Sequence, residues 1–183
     1  MKDTNPPVEL SFLESIAVFG GLTGPSLDRV AAHLRRRQLS AGSCVVCEGD
    51  SAREMYVVEQ GEVEVVVHRD ETRDALDEGE LILAVLQRGA CFGEMSLLDI
   101  QPRSATVRTR TDATLLVLGY ADLLAIQSAD NEAFTFLVMN IAREVSRRLR
   151  LANKLLVSVM LSLHDGFRLT SEIFGGQASG LPN

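Results

Sequence analysis

The sequence predicts an α+β fold: a β-jelly-roll barrel with N-terminal helices, one short helix set among its strands and a long C-terminal helix. Three observations lead there. Between Leu39 and Gly119, short β-branched and aliphatic runs alternate with turn residues; before them apolar residues recur at helical spacing, and after Asn131 they keep a heptad. Many short strands with turn punctuation indicate a barrel or jelly roll, in which closure protects the strand edges. The expected boundaries are a helical segment over 1–38, the barrel with its short helix over 39–130, the long helix over 131–163 and a flexible tail over 164–183.

Composition narrows the class. Of 183 residues, 46% are hydrophobic and 23% charged, which suits a packed core and excludes a disordered chain. A net charge of −7 argues against a nucleic-acid binder acting through overall charge. Three cysteines make no disulfide framework, and a reducing compartment follows. Met1 to Pro7 lacks the apolar run of a secretory signal, and Leu155 to Leu163 is about half the length of a membrane span. A cytoplasmic protein with no membrane partner is expected.

Taken in order, Leu10, Leu13, Ile16 and Ala17 predict a first helix. Beyond Gly20-Gly21 and Gly24-Pro25, Ser26 is placed to cap a second helix carrying Leu27, Val30, Ala31 and Leu34. Arg35-Arg36-Arg37 is expected to close it, since cations suit the negative end of the helix dipole. Strands are predicted at Ser43–Cys47, Met55–Gln60, Glu62–His68, Glu80–Leu86, Ala105–Arg110 and Thr114–Leu118. In Glu62–His68, valines 63, 65 and 67 share one face and Glu62, Glu64 and His68 the other. The acidic, mixed-charge run from His68 to Gly79 reads as an exposed hairpin tip.

Cys91 to Leu98 reads as a single helical turn. The long helix begins at an Asp130 or Asn131 cap, and its heptad runs through Val138, Ala142, Val145, Leu149, Ala152, Leu156, Val159 and Leu163. A sustained apolar seam of this kind is a coiled-coil signal, so homodimerisation through residues 138–163 is expected beside packing of the first half on its own barrel.

Several chemistries lack their residues. There is no glycine-lysine-serine phosphate loop, nucleophile elbow or His-Glu-x-x-His helix, and His33, His68 and His164 fit no ligand spacing. No catalysis and no metal are therefore expected. Cys44 and Cys47 stand three apart on a predicted strand, hence on opposite faces, and together with Cys91 read as small buried hydrophobes.

One constellation remains, from Phe92 to Val107. A helix N-terminus offers unpaired N–H groups to an anion, and Gly93 allows a sharp turn and close backbone approach. Glu94, at the helix start, can accept hydrogen bonds from sugar hydroxyls, and a buried Arg103 can pair with a phosphate through two donors. From spacing alone the alternative is structural: Glu94 caps its helix and bridges to Arg103.

The run Phe92-Gly93-Glu94-Met95-Ser96-Leu97-Leu98, followed by Pro102-Arg103-Ser104-Ala105-Thr106-Val107, resembles the phosphate-binding cassette of cyclic nucleotide-binding domains. Such domains occur in bacterial catabolite activator proteins and in regulatory subunits of cAMP-dependent protein kinase. Gly42, Gly49-Asp50, Met55-Tyr56-Val57-Val58 and Gly61-Glu62-Val63 extend the resemblance to roughly residues 10–160, with Ser96 where many members carry alanine or glycine. The resemblance implies that Glu94 accepts the ribose 2′-hydroxyl. It implies that Arg103 holds the cyclic phosphate, aided by backbone amides near Gly93, Met95, Ser96 and Ala105 and by the Ser104 hydroxyl. Val65, Leu83 and Leu86 would line the base and sugar side, and a residue between Arg143 and Ala152 would close over the base. Threonine at position 104 would imply cGMP; serine also occurs in bacterial cAMP binders, and cAMP is favoured over cGMP.

Only 20 residues follow Leu163, too few for a winged helix, so no DNA partner is expected. The long helix carries Arg143, Arg147, Arg148, Arg150 and Lys154 against Glu132 and Glu144, either a solvated face or a basic surface for an unknown downstream protein. The resulting expectation is a cyclic-nucleotide sensor that acts by reordering its C-terminal helix. The alternatives are a degenerate fold serving as a ligand-free dimerisation scaffold and a metal-dependent jelly-roll enzyme.

Overall fold

The computed structural model describes residues 8–68, 80–99 and 101–174, so the expected hairpin tip over 69–79 lies outside the described residues. The chain divides into two compact units, residues 1–142 and 143–183. The first opens with α1 (Leu10–Glu14), a 3₁₀ turn (Ala17–Phe19) and α2 (Gly24–Ala32). Its strands are β1 (Arg35–Leu39), β2 (Cys44–Val46), β3 (Glu54–Gln60), β4 (Val63–His68), β5 (Glu80–Leu86), β6 (Cys91–Phe92), β7 (Thr106–Thr109) and β8 (Ala113–Gly119). Helix α3 (Glu94–Leu98) interrupts them, and α4 (Tyr120–Ala129) leads into α5 (Asn131–Phe174).

The strands form two antiparallel four-stranded sheets, ordered β1-β8-β3-β6 and β2-β7-β4-β5. The jelly-roll class holds, but the expected barrel is two sheets packed face to face rather than one closed sheet. Val45, Val46, Val63 and Val107 of the second sheet meet Tyr56, Val58, Phe92, Leu115 and Val117 of the first in one buried cluster. The opposite face of the first sheet, with Met55, Val57, Leu116 and Leu118, packs on the helices through Leu13, Phe19, Leu27, Val30, Leu123, Ile126, Leu137 and Ile141. With both faces covered, β3 and β8 read as continuous apolar runs rather than alternating ones. Each such side chain contributes about 1.5–3 kcal/mol when fully buried.

Several expectations are corrected. Arg35-Arg36-Arg37 does not end a helix: α2 stops at Ala32, and the triplet pairs with β8 from Arg35↔Val117 to Arg37↔Leu115. Carboxylates meet these cations: Arg36 donates Nε and Nη2 to the two Glu59 oxygens at 2.7 and 2.6 Å, and Arg35 reaches Glu54 Oε1 at 3.0 Å. Thr23, not Ser26, stands at the α2 N-cap, and the Ser26 hydroxyl donates to Asp130 Oδ2 at 2.9 Å. Helix α4 was not expected, because its apolar residues are spread around it: Leu123 and Ile126 are buried while Leu124 is exposed.

The valine alternation in β4 holds along its unbroken pairing with β7, and Val66 is buried on the face it shares with Glu64. On the other side Val65 pairs with Ala84 and Val66 with Ile82, which leaves Leu83 as the extra residue of a bulge in β5. A second bulge overturns the reading of the cysteines. Cys44 pairs with Arg108 but Val46 pairs with Val107, so β2 carries one extra residue. Val45 and Val46 are both buried, and Cys44 and Cys47 emerge together on the solvent side, joined as a disulfide; Cys91 alone is buried.

Asp130 caps α5, accepting the Ala133 N–H on Oδ1 at 3.0 Å. That backbone hydrogen bond, then the Ser26 hydroxyl and Arg29, holds its carboxyl below the ordinary range against the opposing effect of burial. Ala133, Leu137 and Ile141, one face at steps of four, pack into the core, while Asn140 donates its amide to the Val18 and Gly20 carbonyls at 3.2 and 2.6 Å. Of the expected seam, Val138 is half-buried and Ala142 exposed.

In the second unit the helix runs past Leu163 to Phe174, which corrects the boundary of the tail; residues 175–183 lie outside the described residues. Leu149, Leu156, Val159 and Leu163 are 60, 59, 56 and 69% exposed in the single chain. Glu144 accepts from Arg147 Nε at 2.9 Å and Arg148 Nε at 2.9 Å, so two cations of the expected basic surface are paired within the helix. No helix among the described residues is long and apolar enough to cross a membrane.

Candidate functional site

Strand β6 ends at Phe92, and the chain turns at Gly93 with φ of +77° before α3 begins at Glu94. A side chain there would be doubly excluded: a Cβ at Gly93 would lie 2.5 Å from Arg103 Nη1 and 2.9 Å from the Glu54 carbonyl oxygen. Residue 93 is therefore glycine for two separate reasons, backbone conformation and the guanidinium pressed against it.

Arg103 is the centre of the site. It is 4% exposed, and it donates Nη1 to the Gly93 carbonyl at 3.0 Å and Nη2 to the Glu54 carbonyl at 2.7 Å. Its Nε is buried with no hydrogen-bond partner. Among the described residues no carboxylate lies within ion-pair distance of it, so the bridge to Glu94 that spacing alone allowed is not formed. An ion taken out of water without a counter-charge costs several kcal/mol, and a planar guanidinium is well shaped to recover it from an oxyanion.

The backbone of Arg103 is fixed as firmly as its side chain. Its N–H donates to the Asp50 carbonyl at 2.8 Å and its carbonyl accepts from the Gly49 N–H at 2.9 Å. One residue pair of the 47–50 turn thus holds the strand leading into β7. The Glu48 N–H adds a hydrogen bond to Thr106 Oγ1 at 3.0 Å.

Beneath the guanidinium lies a shelf that the sequence did not announce. Tyr56 sits with its ring centroid 5.7 Å from Arg103 Cζ and stacks on Phe92 at 5.0 Å with 12° between the planes. Its hydroxyl donates to Glu54 Oε2 at 2.8 Å. Burial, then that carboxylate, pushes the Tyr56 phenol up to about 12. Burial opposes ionisation of Glu54, but hydrogen bonds from Tyr56 and Arg35 and the charges of Arg35 and Arg103 hold its carboxyl below the ordinary range. Glu54 escaped notice because its role toward Arg103 is carried mainly by a backbone carbonyl, which any residue supplies.

With this geometry established, comparison with known proteins settles the family. The family described as the cyclic nucleotide-binding domain matches residues 36–130. The chain belongs to this family. Human cyclic nucleotide-gated channel alpha-2 is 31% identical over 123 residues, which are 67% of this chain and 17% of that protein. The chain thus spans about a sixth of the length of the curated channels it matches. The catabolite activator protein of Thermus thermophilus superposes with a TM-score of 0.67 at 31% identity, covering 79% of this chain and 63% of that one. The regulatory domain of Toxoplasma gondii PKA, crystallised with cAMP, gives 0.54 at 28% identity, covering 64% and 42%. Members of this family of domains are regulatory ligand-binding modules rather than catalysts.

Within the family framework, the structure brings some of the expected residues together. Gly93 touches Arg103, and Glu94 and Ser96 are buried on α3 beside it. Met95 points outward, 52% exposed. Ser104 is exposed and Ala105 half-buried on the approach to β7. Val65 and Leu86 pack against the inner cluster between the sheets, whereas Leu83, on its bulge, is 56% exposed.

Proposed function

We propose that this chain is a cytoplasmic cyclic-nucleotide sensor that binds cAMP in preference to cGMP in the cassette around Arg103. The observation that carries the reading is that arginine: buried, oriented by two carbonyls and, among the described residues, with no carboxylate within ion-pair distance. Arg103 holds the cyclic phosphate, and the α3 N-terminus with the backbone amides near Gly93, Met95, Ser96 and Ala105 shares its charge. Glu94 accepts the ribose 2′-hydroxyl, Ser104 adds a hydroxyl, and Val65, Leu83 and Leu86 line the base and sugar side. The cAMP bound to the Toxoplasma gondii relative supports the choice of ligand.

Regulation runs through the long helix. A residue between Arg143 and Ala152 closes over the base, and the ligand biases a two-state equilibrium of that helix by its differential affinity for the two states. A second copy of the chain covers the exposed seam at Leu149, Leu156, Val159 and Leu163. Sedimentation of the full chain should give a dimer, and Leu156→Glu a monomer; a wild-type monomer at micromolar concentration would contradict the assignment.

Thermal unfolding tests the ligand most cheaply. A ligand at one hundred times its Kd stabilises the folded state by about 2.7 kcal/mol, which for a domain of this size raises Tm by roughly 5–10 °C. We expect that rise with cAMP, a smaller one with cGMP at equal concentration, and none with 5′-AMP, which lacks the ring-closed phosphate. A Tm unmoved by every cyclic nucleotide would contradict the reading.

A further inference from the structure

We propose that Cys44 and Cys47 are a reversible redox site whose disulfide stiffens the turn that holds Arg103. The inference goes beyond ligand binding and stands on three observations. The bulge in β2 puts both sulfurs on the solvent side, with 6.6 Å between the Cα atoms, within the span a disulfide bridges. Both cysteines are exposed, so a small oxidant or reductant reaches them, whereas Cys91 is buried.

The third observation is the path from this pair to the cassette. Cys47 opens the 47–50 turn: its N–H donates to Asp50 Oδ2 at 3.2 Å, and its carbonyl accepts the Asp50 N–H at 3.1 Å. Asp50 and Gly49 then exchange two backbone hydrogen bonds with Arg103, at 2.8 and 2.9 Å. The disulfide adds a second covalent tie between this turn and β2, beside the peptide link at Val46–Cys47; reduction removes that cross-link. The effect reaches Arg103 through its main chain, without contact between sulfur and guanidinium.

The chemistry balances with a peroxide as oxidant. One cysteine thiolate attacks hydrogen peroxide, breaking the O–O bond and forming a sulfenic acid with loss of one hydroxide, which is protonated to water. The second thiol then displaces the sulfenic oxygen as a second water and forms the S–S bond. Two electrons pass from the two sulfurs to the peroxide, and a dithiol reductant reverses the step by exchange.

The test uses the full chain in two states, fully reduced and treated with one equivalent of hydrogen peroxide. Alkylation under denaturing conditions and intact mass count the free thiols, and hydrogen exchange measures protection of the amides of Gly49 and Arg103. We expect three alkylated cysteines when reduced and one, Cys91, when oxidised. The oxidised chain should exchange at Gly49 and Arg103 at least threefold more slowly. Restoration by dithiothreitol and absence of both changes in Cys44→Ser support the proposal. Three free thiols after oxidation overturn the site, and a disulfide that leaves exchange at Arg103 unchanged overturns the coupling. Neither readout needs a nucleotide, so failure of the cyclic-nucleotide reading is distinguishable from failure of this one.

Discussion

Replacing Arg103 with alanine is expected to weaken cAMP binding roughly tenfold to a hundredfold, the loss of a charge-assisted contact worth about 1.5–3 kcal/mol. The reason lies in what the guanidinium does without ligand. Two of its five N–H donors go to the carbonyls of Gly93 and Glu54, Nε is buried and unbonded, and among the described residues no carboxylate lies within ion-pair distance, so donors remain for an anion. An anion arriving there meets a charge already stripped of water and already aimed, so little is lost to reorganisation. The variant also leaves the Gly93 and Glu54 carbonyls without their donors and the Glu54 carboxylate without a nearby positive charge, so Arg103→Ala should lower the ligand-free Tm as well as weaken binding. Calorimetric titration beside thermal unfolding separates the two. Equal cAMP affinity in wild type and variant would remove Arg103 from the site.

The second large effect belongs to Gly93→Ala, which should cost both stability and binding. A non-glycine residue at φ of +77° is strained by about 1–3 kcal/mol, and its Cβ would stand 2.5 Å from Arg103 Nη1 and 2.9 Å from the Glu54 oxygen. The backbone oxygen is the less able to move, so the guanidinium is displaced. Gly42→Ala is the matched control: φ there is +78° but open space surrounds the missing Cβ. It should lose comparable stability from strain alone and keep its cAMP affinity. If Gly93→Ala bound cAMP as tightly as Gly42→Ala, the close packing of Arg103 on Gly93 would not matter for binding.

The cassette was legible in the sequence because its chemistry is carried by side chains with few substitutes: a glycine at a forced turn, a carboxylate at a helix start, an arginine after a proline. Strands β3 and β8 were legible for a similar reason, since burial on both faces writes a continuous apolar run. What escaped depends on pairing that no local pattern encodes. Arg35-Arg36-Arg37 carries cations suited to a helix end, yet β8 offers a free edge and Glu59 a matched carboxylate. The bulge in β2 inserts one residue into a period of two, so alternation predicted faces correctly up to the bulge and wrongly beyond it. Cys44 and Cys47 were misread for that reason alone. Glu54 and Tyr56, the support under Arg103, sit in an apolar strand whose neighbours announce only burial.

Arg103, buried and held by two carbonyls, is placed to take the phosphate of a cyclic nucleotide, and a crystal of the chain grown with cAMP tests that directly. The account predicts a cyclic phosphate oxygen within hydrogen-bond distance of Arg103 and the ribose 2′-hydroxyl on Glu94. A nucleotide seated elsewhere, or an empty cassette in which Arg103 keeps only the Gly93 and Glu54 carbonyls at saturating cAMP, would contradict it.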